Sequence, residues 1–269
     1  MHRITSSQNP RIKAVVRLRD SRARRRHGSI VVDGARELLR AVEAGVVVEE
    51  LFWCPEWASS EEAQAIVSRF VEVQEGRTSV CQVTPGVFEK LAYGERTDGI
   101  VGVVQGVWRE LSDLVLSSAP LVVVVEGVEK PGNLGAILRS ADGAGVSAVV
   151  LCDGGTDWYN PNVIRASLGT VFSVPVCAAS AEQSREWLRQ QGLRIYAARV
   201  EGAKCYWEVE WTGAVAIVLG AESTGLSATW RGAGIEAISL PMCGVADSLN
   251  VSATAAVLCY EALRQRRQR

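Results

Sequence analysis

The chain has 269 residues, 48% of them hydrophobic, and a formal net charge of −1. That length allows about two domains with an ample core, while its longest apolar runs, such as Leu121–Val125, are far too short to span a bilayer. Seven cysteines without a CxxC pair or metal-ligand spacing read as reduced core thiols of a cytoplasmic protein with no metal site. His2 and His27, the two histidines, leave the main body without His-based catalysis.

The N-terminus is polar and basic, which predicts no secretory signal. Residues 1–27 carry nine Lys or Arg against one acid, Asp20, and Arg264, Arg266, Arg267 and Arg269 add to the basic character of the other end. A helix is expected over Pro10–Arg19, bringing Arg11, Lys13 and Arg17 close to the run Arg22, Arg24, Arg25 and Arg26. Such a cluster is an electrostatic footprint for phosphates. Next, helices expected at 35–44, 61–70 and 85–92 alternate with short apolar strands at 29–32, 46–53, 80–83 and 100–107. This is a small α/β domain over 1–108. Residues 109–120 contain Ser-Ser-Ala-Pro and read as a linker.

From Leu121 onward strand and helix alternate, predicting a doubly wound α/β domain over 121–269. Strands are expected at 121–126, 147–151, 173–176, 193–198, 214–219 and 235–240, and helices at 133–144, 161–168, 181–190 and 249–265. Three of these strands end in informative loops. Leu121–Glu126 runs into Gly-Val-Glu-Lys-Pro-Gly-Asn-Leu-Gly; Ala214–Leu219 runs into Gly-Ala-Glu-Ser-Thr-Gly; Ile235–Leu240 breaks at Pro241 into a loop ending at Ser248, before a helix of small residues. Apolar runs too uniform to alternate read as buried parallel strands. Parallel sheets place ligand sites outside the carboxyl ends of their strands, so the three loops predict one composite pocket.

These segments resemble the three signature motifs of the SpoU/TrmH-type RNA ribose 2′-O-methyltransferases of the SPOUT superfamily. The matching residues are Asn133-x-Gly135 with Arg139; Leu219-Gly-x-Glu222-x-x-Gly225; and Pro241-Met-x-Gly244 with Ser248-Leu-Asn-Val-Ser252. Order and spacing agree over roughly 120–265. Leu240 stands where many members have Ile, and Lys130 where many have Asp. Ser6-x-x-Asn9-Pro10-x-Ile12-Lys13 and the domain order resemble the L30e-like substrate-binding domain that precedes many such catalytic domains. The resemblance implies S-adenosyl-L-methionine as methyl donor, a structured RNA partner with rRNA favoured over tRNA, a homodimer, and a deep trefoil knot. The knot runs against the general rarity of knots and rests on the resemblance alone.

Methyl transfer to a ribose 2′-OH requires a bound sulfonium donor, an acceptor oxygen in line with it and a route for the acceptor's proton. Gly220 permits close backbone approach, and Leu240 and Leu249 offer apolar contact at strand and helix ends; these three are expected to hold the donor. Asn133 is expected to cap the helix that follows Gly132, and also to orient a ligand. Glu222, the one acid of its loop, is expected to order the loops by accepting backbone or Asn hydrogen bonds. Ser248 and Asn250, at a helix start, are expected to bond the acceptor ribose or the donor.

Arg139 lies about 140° from Leu134 around its helix at 100° per residue, so it points off the core stripe. The resemblance implies that it acts on the 2′-OH. Arginine stays protonated in proteins, so two roles stay open: a base in an unusual environment, or a cation that holds RNA phosphate and stabilises the developing alkoxide. Glu126 and Glu129 match no motif position. Three other functions remain open: a tRNA methyltransferase, a non-catalytic RNA-binding protein, and a nucleotide-cofactor oxidoreductase using Gly127–Gly135 and Asp153. The last lacks a true GxGxxG.

Overall fold

The structure is a computed structural model that describes residues 2–72, 78–94, 98–200 and 204–268. It forms two compact units, residues 1–107 with 159–173, and residues 108–158 with 174–269.

The first unit opens with β1 (His2–Ile4), α1 (Pro10–Arg17) and α2 (Ser21–His27), followed by β2 (Ser29–Asp33), α3 (Ala35–Glu43), β3 (Val48–Trp53), α4 (Glu61–Val67), β4 (Ser79–Val83), α5 (Pro85–Leu91) and β5 (Ile100–Gln105). Asn9 caps α1 by accepting from the Arg11 amide, with Pro10 in the first helical position, where its missing N–H costs nothing. The sheet order is β1-β4-β3-β5-β2, with β5 antiparallel to both neighbours. Ile12, Val15 and Leu18 of the N-terminal arm pack into its core with Phe52, Phe88 and Leu91. The arm is therefore a built part of this unit. The expected helix Pro10–Arg19 breaks after Arg17 and restarts at Ser21, because Asp20 caps the Ala23 amide.

The second unit begins with β6 (Leu121–Glu126), α6 (Pro131–Gly143) and β7 (Ala148–Cys152). The chain then returns to the first unit for α7 (Pro161–Ala166), where Arg165 pairs with Asp33 at 3.6 Å. This segment lies within 121–269, the range expected for the second domain, yet belongs to the first unit. Then come β8 (Val176–Ala179), α8 (Ala181–Gln190), β9 (Arg194–Ala198), β10 (Lys204–Cys205), β11 (Val215–Leu219), β12 (Ile235–Ser239) and α9 (Val251–Arg267). All seven strands are parallel, in the order β10-β12-β9-β11-β6-β7-β8. β6, β7 and β11 are buried at every position, as expected of strands covered on both faces. The structure corrects the expectation of a linker at 109–120. Leu111, Leu114 and Leu116 pack on the core of the second unit, and Arg109 bridges to Cys177. The short edge strand β10 has no apolar run to announce it.

No helix among the described residues is long and apolar enough to cross a membrane, and no group of three or more His, Cys, Asp or Glu among them can hold a metal ion.

Candidate active site

The carboxyl ends of β12, β9 and β11, three neighbouring strands, open into one cavity of about 590 Å³. Ala198 and Arg199 line it from β9 and the residue beyond, Leu219 and Gly220 from the end of β11, Ile238 and Leu240 from the end of β12, and Ser248, Leu249 and Val251 from the loop and start of α9. Such a volume suits a small organic ligand. A Cβ added at Gly220 would lie 2.4 Å from the carbonyl carbon of Gly225. No side chain fits there, so the two arms of this loop pass against each other.

Three motif side chains interlock beside the cavity. Asn133 Nδ2 donates to Glu222 Oε1 at 3.1 Å; Asn250 Nδ2 donates to the same oxygen at 2.5 Å and lies 3.3 Å from Asn133 Oδ1. Lys130 Nζ lies 3.4 Å from Glu222 Oε2. Glu222 is thus one acceptor shared by the loops after β6, β11 and β12. Lys130, the departure from the family pattern, gains that carboxylate as a partner. The pair is solvent-facing, so its direct stabilisation is small. Asn250 is also the N-cap of α9: its Oδ1 accepts from the Ser252 amide at 2.9 Å and from Ser252 Oγ at 2.6 Å.

Two expectations about caps need correction. α6 starts at Pro131, so Asn133 is its third residue and not its cap; proline is preorganised for the first helical position and moves the start forward. α9 starts after Asn250, and Ser248 sits in the exposed loop lining the cavity. Leu249 is 38% exposed and Leu240 is half-buried, so neither is a core residue. Arg139 is exposed on α6, is not among the residues lining the cavity, and makes no hydrogen bond or ion pair with the described residues.

Glu126, without a motif position, is a structural centre. It is buried, and its carboxylate accepts from Ser227 N at 2.8 Å, Ser227 Oγ at 2.7 Å and Trp230 Nε1 at 3.2 Å. This fixes the turn 227–230 behind the cavity wall formed by Leu226, Trp230 and Arg231. Arg199 Nη2 donates to the Trp230 carbonyl at 2.8 Å and lies 3.4 Å from that of Ser227. Burial, with the nearby Arg231 charge, pulls its pKa below the ordinary arginine value. The signal for Glu126 was present in the sequence, as an acid ending a fully buried valine strand. Arg199 carried no signal.

In the first unit the basic arm separates into two sets. Lys13, Arg17, Arg22, Arg25 and Arg26 are exposed, and Arg17, Arg22, Arg26 and His27 line a shallow cleft between α1 and α2. Arg24 is 2% exposed and donates to the Leu18 and Arg19 carbonyls, closing the α1–α2 corner. Arg11 pairs with Glu50 and bonds Ser79 Oγ at 2.8 Å. These two were expected on the RNA face; the structure gives them to the fold, because each has protein acceptors within reach. At the other end Arg264 pairs with Glu261, and Arg266 donates to the carbonyls of Ala119, Pro120, Trp211 and Gly213. Arg269 lies outside the described residues.

The fold and the interlocked loops define a SpoU-type methylase architecture. The chain belongs to the SpoU rRNA Methylase family, whose pattern matches residues 120–260, more than half of the chain. Residues 9–102 match the MRM3-like substrate binding domain. The chain is 31% identical over 274 residues to a 23S rRNA (uridine(2479)-2′-O)-methyltransferase of Streptomyces viridochromogenes, covering 98% of this chain and 92% of that one. Among solved structures, an RNA 2′-O ribose methyltransferase superposes with a TM-score of 0.82 at 39% identity, covering 98% of each chain. The SpoU methyltransferase AviRb of Streptomyces viridochromogenes, in complex with AdoMet, superposes with a TM-score of 0.85 at 27% identity, covering 96% of this chain and 98% of that one.

Proposed function

We propose that the protein transfers a methyl group from S-adenosyl-L-methionine to a ribose 2′-OH of ribosomal RNA. The observation that carries this reading is the joining of the three signature loops through Glu222, Asn133 and Asn250 beside the cavity at the ends of β9, β11 and β12. Bound, the sulfonium donor would supply an activated methyl: the 2′-oxygen would form the new C–O bond as the C–S bond breaks to release S-adenosylhomocysteine, and the hydroxyl proton would pass to solvent.

The cavity fits such a donor: its walls at Leu219, Leu226, Ile238, Leu240 and Leu249 are apolar, and Gly220 lets the backbone of Gly225 close against it to shape the loop. In this reading Gly220, Leu240 and Leu249 hold the donor. Glu222, Asn133 and Asn250 keep the loops in one arrangement, and Ser248 and Asn250 face the donor or the acceptor ribose. Arg139, exposed and unpaired among the described residues, is the cation for the acceptor. A guanidinium that stabilises a developing alkoxide or holds a phosphate does so without giving up its own proton, so the electrostatic role is favoured over that of a base.

The first unit serves as the RNA-binding part, with Lys13, Arg17, Arg22, Arg25 and Arg26 on its phosphate-facing surface. The match to a substrate binding domain supports this assignment. A homodimer built on the second unit, a cytoplasmic location and the family's trefoil knot belong to the same reading. Much of the apolar face of α9 (Val251, Ala255, Leu258 and Cys259) is buried within the chain, so support for the dimer from this helix is limited to its exposed Tyr260. Val245 and Leu249 are exposed in the preceding loop.

The Asp153 carboxylate, a candidate ribose-binding acid for an oxidoreductase, accepts from the Ala181 amide at the start of α8, at 3.2 Å. The cavity opens at the ends of β9, β11 and β12 instead, which weighs against that reading. The deciding experiment is calorimetry with S-adenosylmethionine together with mass-spectrometric mapping of 2′-O-methyl nucleosides in rRNA and tRNA incubated with the protein. Donor binding and a new rRNA methyl are expected; absence of both removes the proposal.

A further inference from the structure

Arg199 is a charged side chain in the cavity wall that no motif of the family pattern accounts for. Its Nη2 bonds the Trp230 and Ser227 carbonyls, and its Nε and Nη1 have no partner among the described residues. Beneath it, the Glu126 carboxylate fixes both residues that supply those carbonyls. The guanidinium is therefore held in one place by a buried support, half-buried itself, with two donors left over on a cavity surface. Arg231 adds a second positive charge to the same wall. The carboxylates that line the cavity, Glu222 and Asp247, come from its loops.

We infer that Arg199 is a specificity residue that receives the α-carboxylate of the donor's methionyl group. The inference rests on the donor reading above. A cation with two donors unpaired among the described residues, beside the apolar Leu226 and Trp230 and a second cation at Arg231, calls for an anionic group on the ligand, because a guanidinium left without one is a partly desolvated charge. The donor's carboxylate is its one anionic group. On the same wall the sulfonium and the ammonium are disfavoured by Arg199 and Arg231, which fixes the direction in which the amino-acid chain lies.

The test is calorimetry on the full-length protein with two probes, S-adenosylhomocysteine and its decarboxylated analogue, which keeps the adenosine, the sulfur and the amine. Arg199→Met keeps an apolar stem of similar length and removes the charge; Arg199→Lys keeps the charge. Charge-assisted hydrogen bonds of this kind are strong enough that Arg199→Met is expected to lower affinity for S-adenosylhomocysteine about tenfold or more. Affinity for the decarboxylated analogue is expected to stay within about twofold, and Arg199→Lys to recover part of the loss. Equal losses for both probes mean that Arg199 only props up the wall, and overturn the inference. Unchanged affinity for both, or a loss confined to RNA binding, overturns it as well. If the unaltered protein bound neither probe, the donor reading itself would fall, an outcome separate from any behaviour of the variants.

Discussion

Replacing Glu126 by glutamine isolates the support behind the cavity. Oε1 accepts from Ser227 Oγ and Trp230 Nε1, and Oε2 from the Ser227 amide. A glutamine has one acceptor oxygen. If it keeps the Oε1 pair, its NH2 faces the Ser227 N–H, donor against donor; if it flips, Trp230 Nε1 and Ser227 Oγ lose their acceptor. Trp230 is completely buried whereas Ser227 reaches solvent, so the first arrangement is the less costly. It forfeits one hydrogen bond to a charged acceptor and leaves one partly solvated donor. The expected loss is about 1–2 kcal/mol of stability, or a fall of roughly 2–8 °C in the melting temperature of a unit this size. Because the displaced turn carries wall residues Leu226, Trp230 and Arg231, affinity for S-adenosylhomocysteine should fall along with stability. Urea unfolding followed by tryptophan fluorescence, with calorimetry on the same preparation, measures both. A stability change under about 0.3 kcal/mol, the margin within which independent sites add, with unchanged affinity, would refute the claim that this carboxylate organises the wall.

Arg139→Ala should lower the single-turnover rate of RNA methylation strongly, roughly 10²-fold if it supplies one electrostatic contact to the developing oxyanion, with donor affinity within a few fold by calorimetry; an unchanged rate returns it to an ordinary surface arginine. Neutralising Arg17, Arg22 and Arg26 together should weaken RNA binding and reduce the log–log salt slope by about 0.7–0.9 per lost phosphate contact. Arg11→Ala should leave that slope alone and cost about 1 kcal/mol or less in stability, since its partner is Glu50. Among the thiols, burial pushes Cys152, Cys177 and Cys259 up to about 12. They are held as protonated thiols at pH 8, and iodoacetamide should label exposed Cys243 first and reach those three only on unfolding, as read by peptide mass mapping.

The strands and most helices were legible because buried parallel strands are written as unbroken apolar runs: Leu121–Val125 and Val215–Leu219 fall at β6 and β11. The loops around the cavity were legible for a different reason, since glycine and proline punctuate the strand ends. What escaped depends on partners far away in sequence. The return of α7 to the first unit is expressed in Arg165–Asp33 and Arg40–Leu168, contacts that local periodicity does not encode. Likewise, nothing in the run Arg22–Arg26 singles out Arg24 as the one turned inward to the α1 carbonyls. An arginine that serves the fold and one that faces solvent look alike until the acceptors around them are placed. Arg199 was missed for the same reason.

The shared oxygen of Glu222 joins residues 89 and 28 positions away along the chain, and Asn133 and Asn250 are 117 apart. Contacts of such range close late, because the entropy of the intervening loops opposes them until the elements between are in place. The interlock is therefore a record of completed folding: a growing polypeptide cannot finish it before residue 250 has been made, and partial products that stop short of α9 lack one of the three loops. On the proposed function, the loops that face the donor are joined only when this last tie closes.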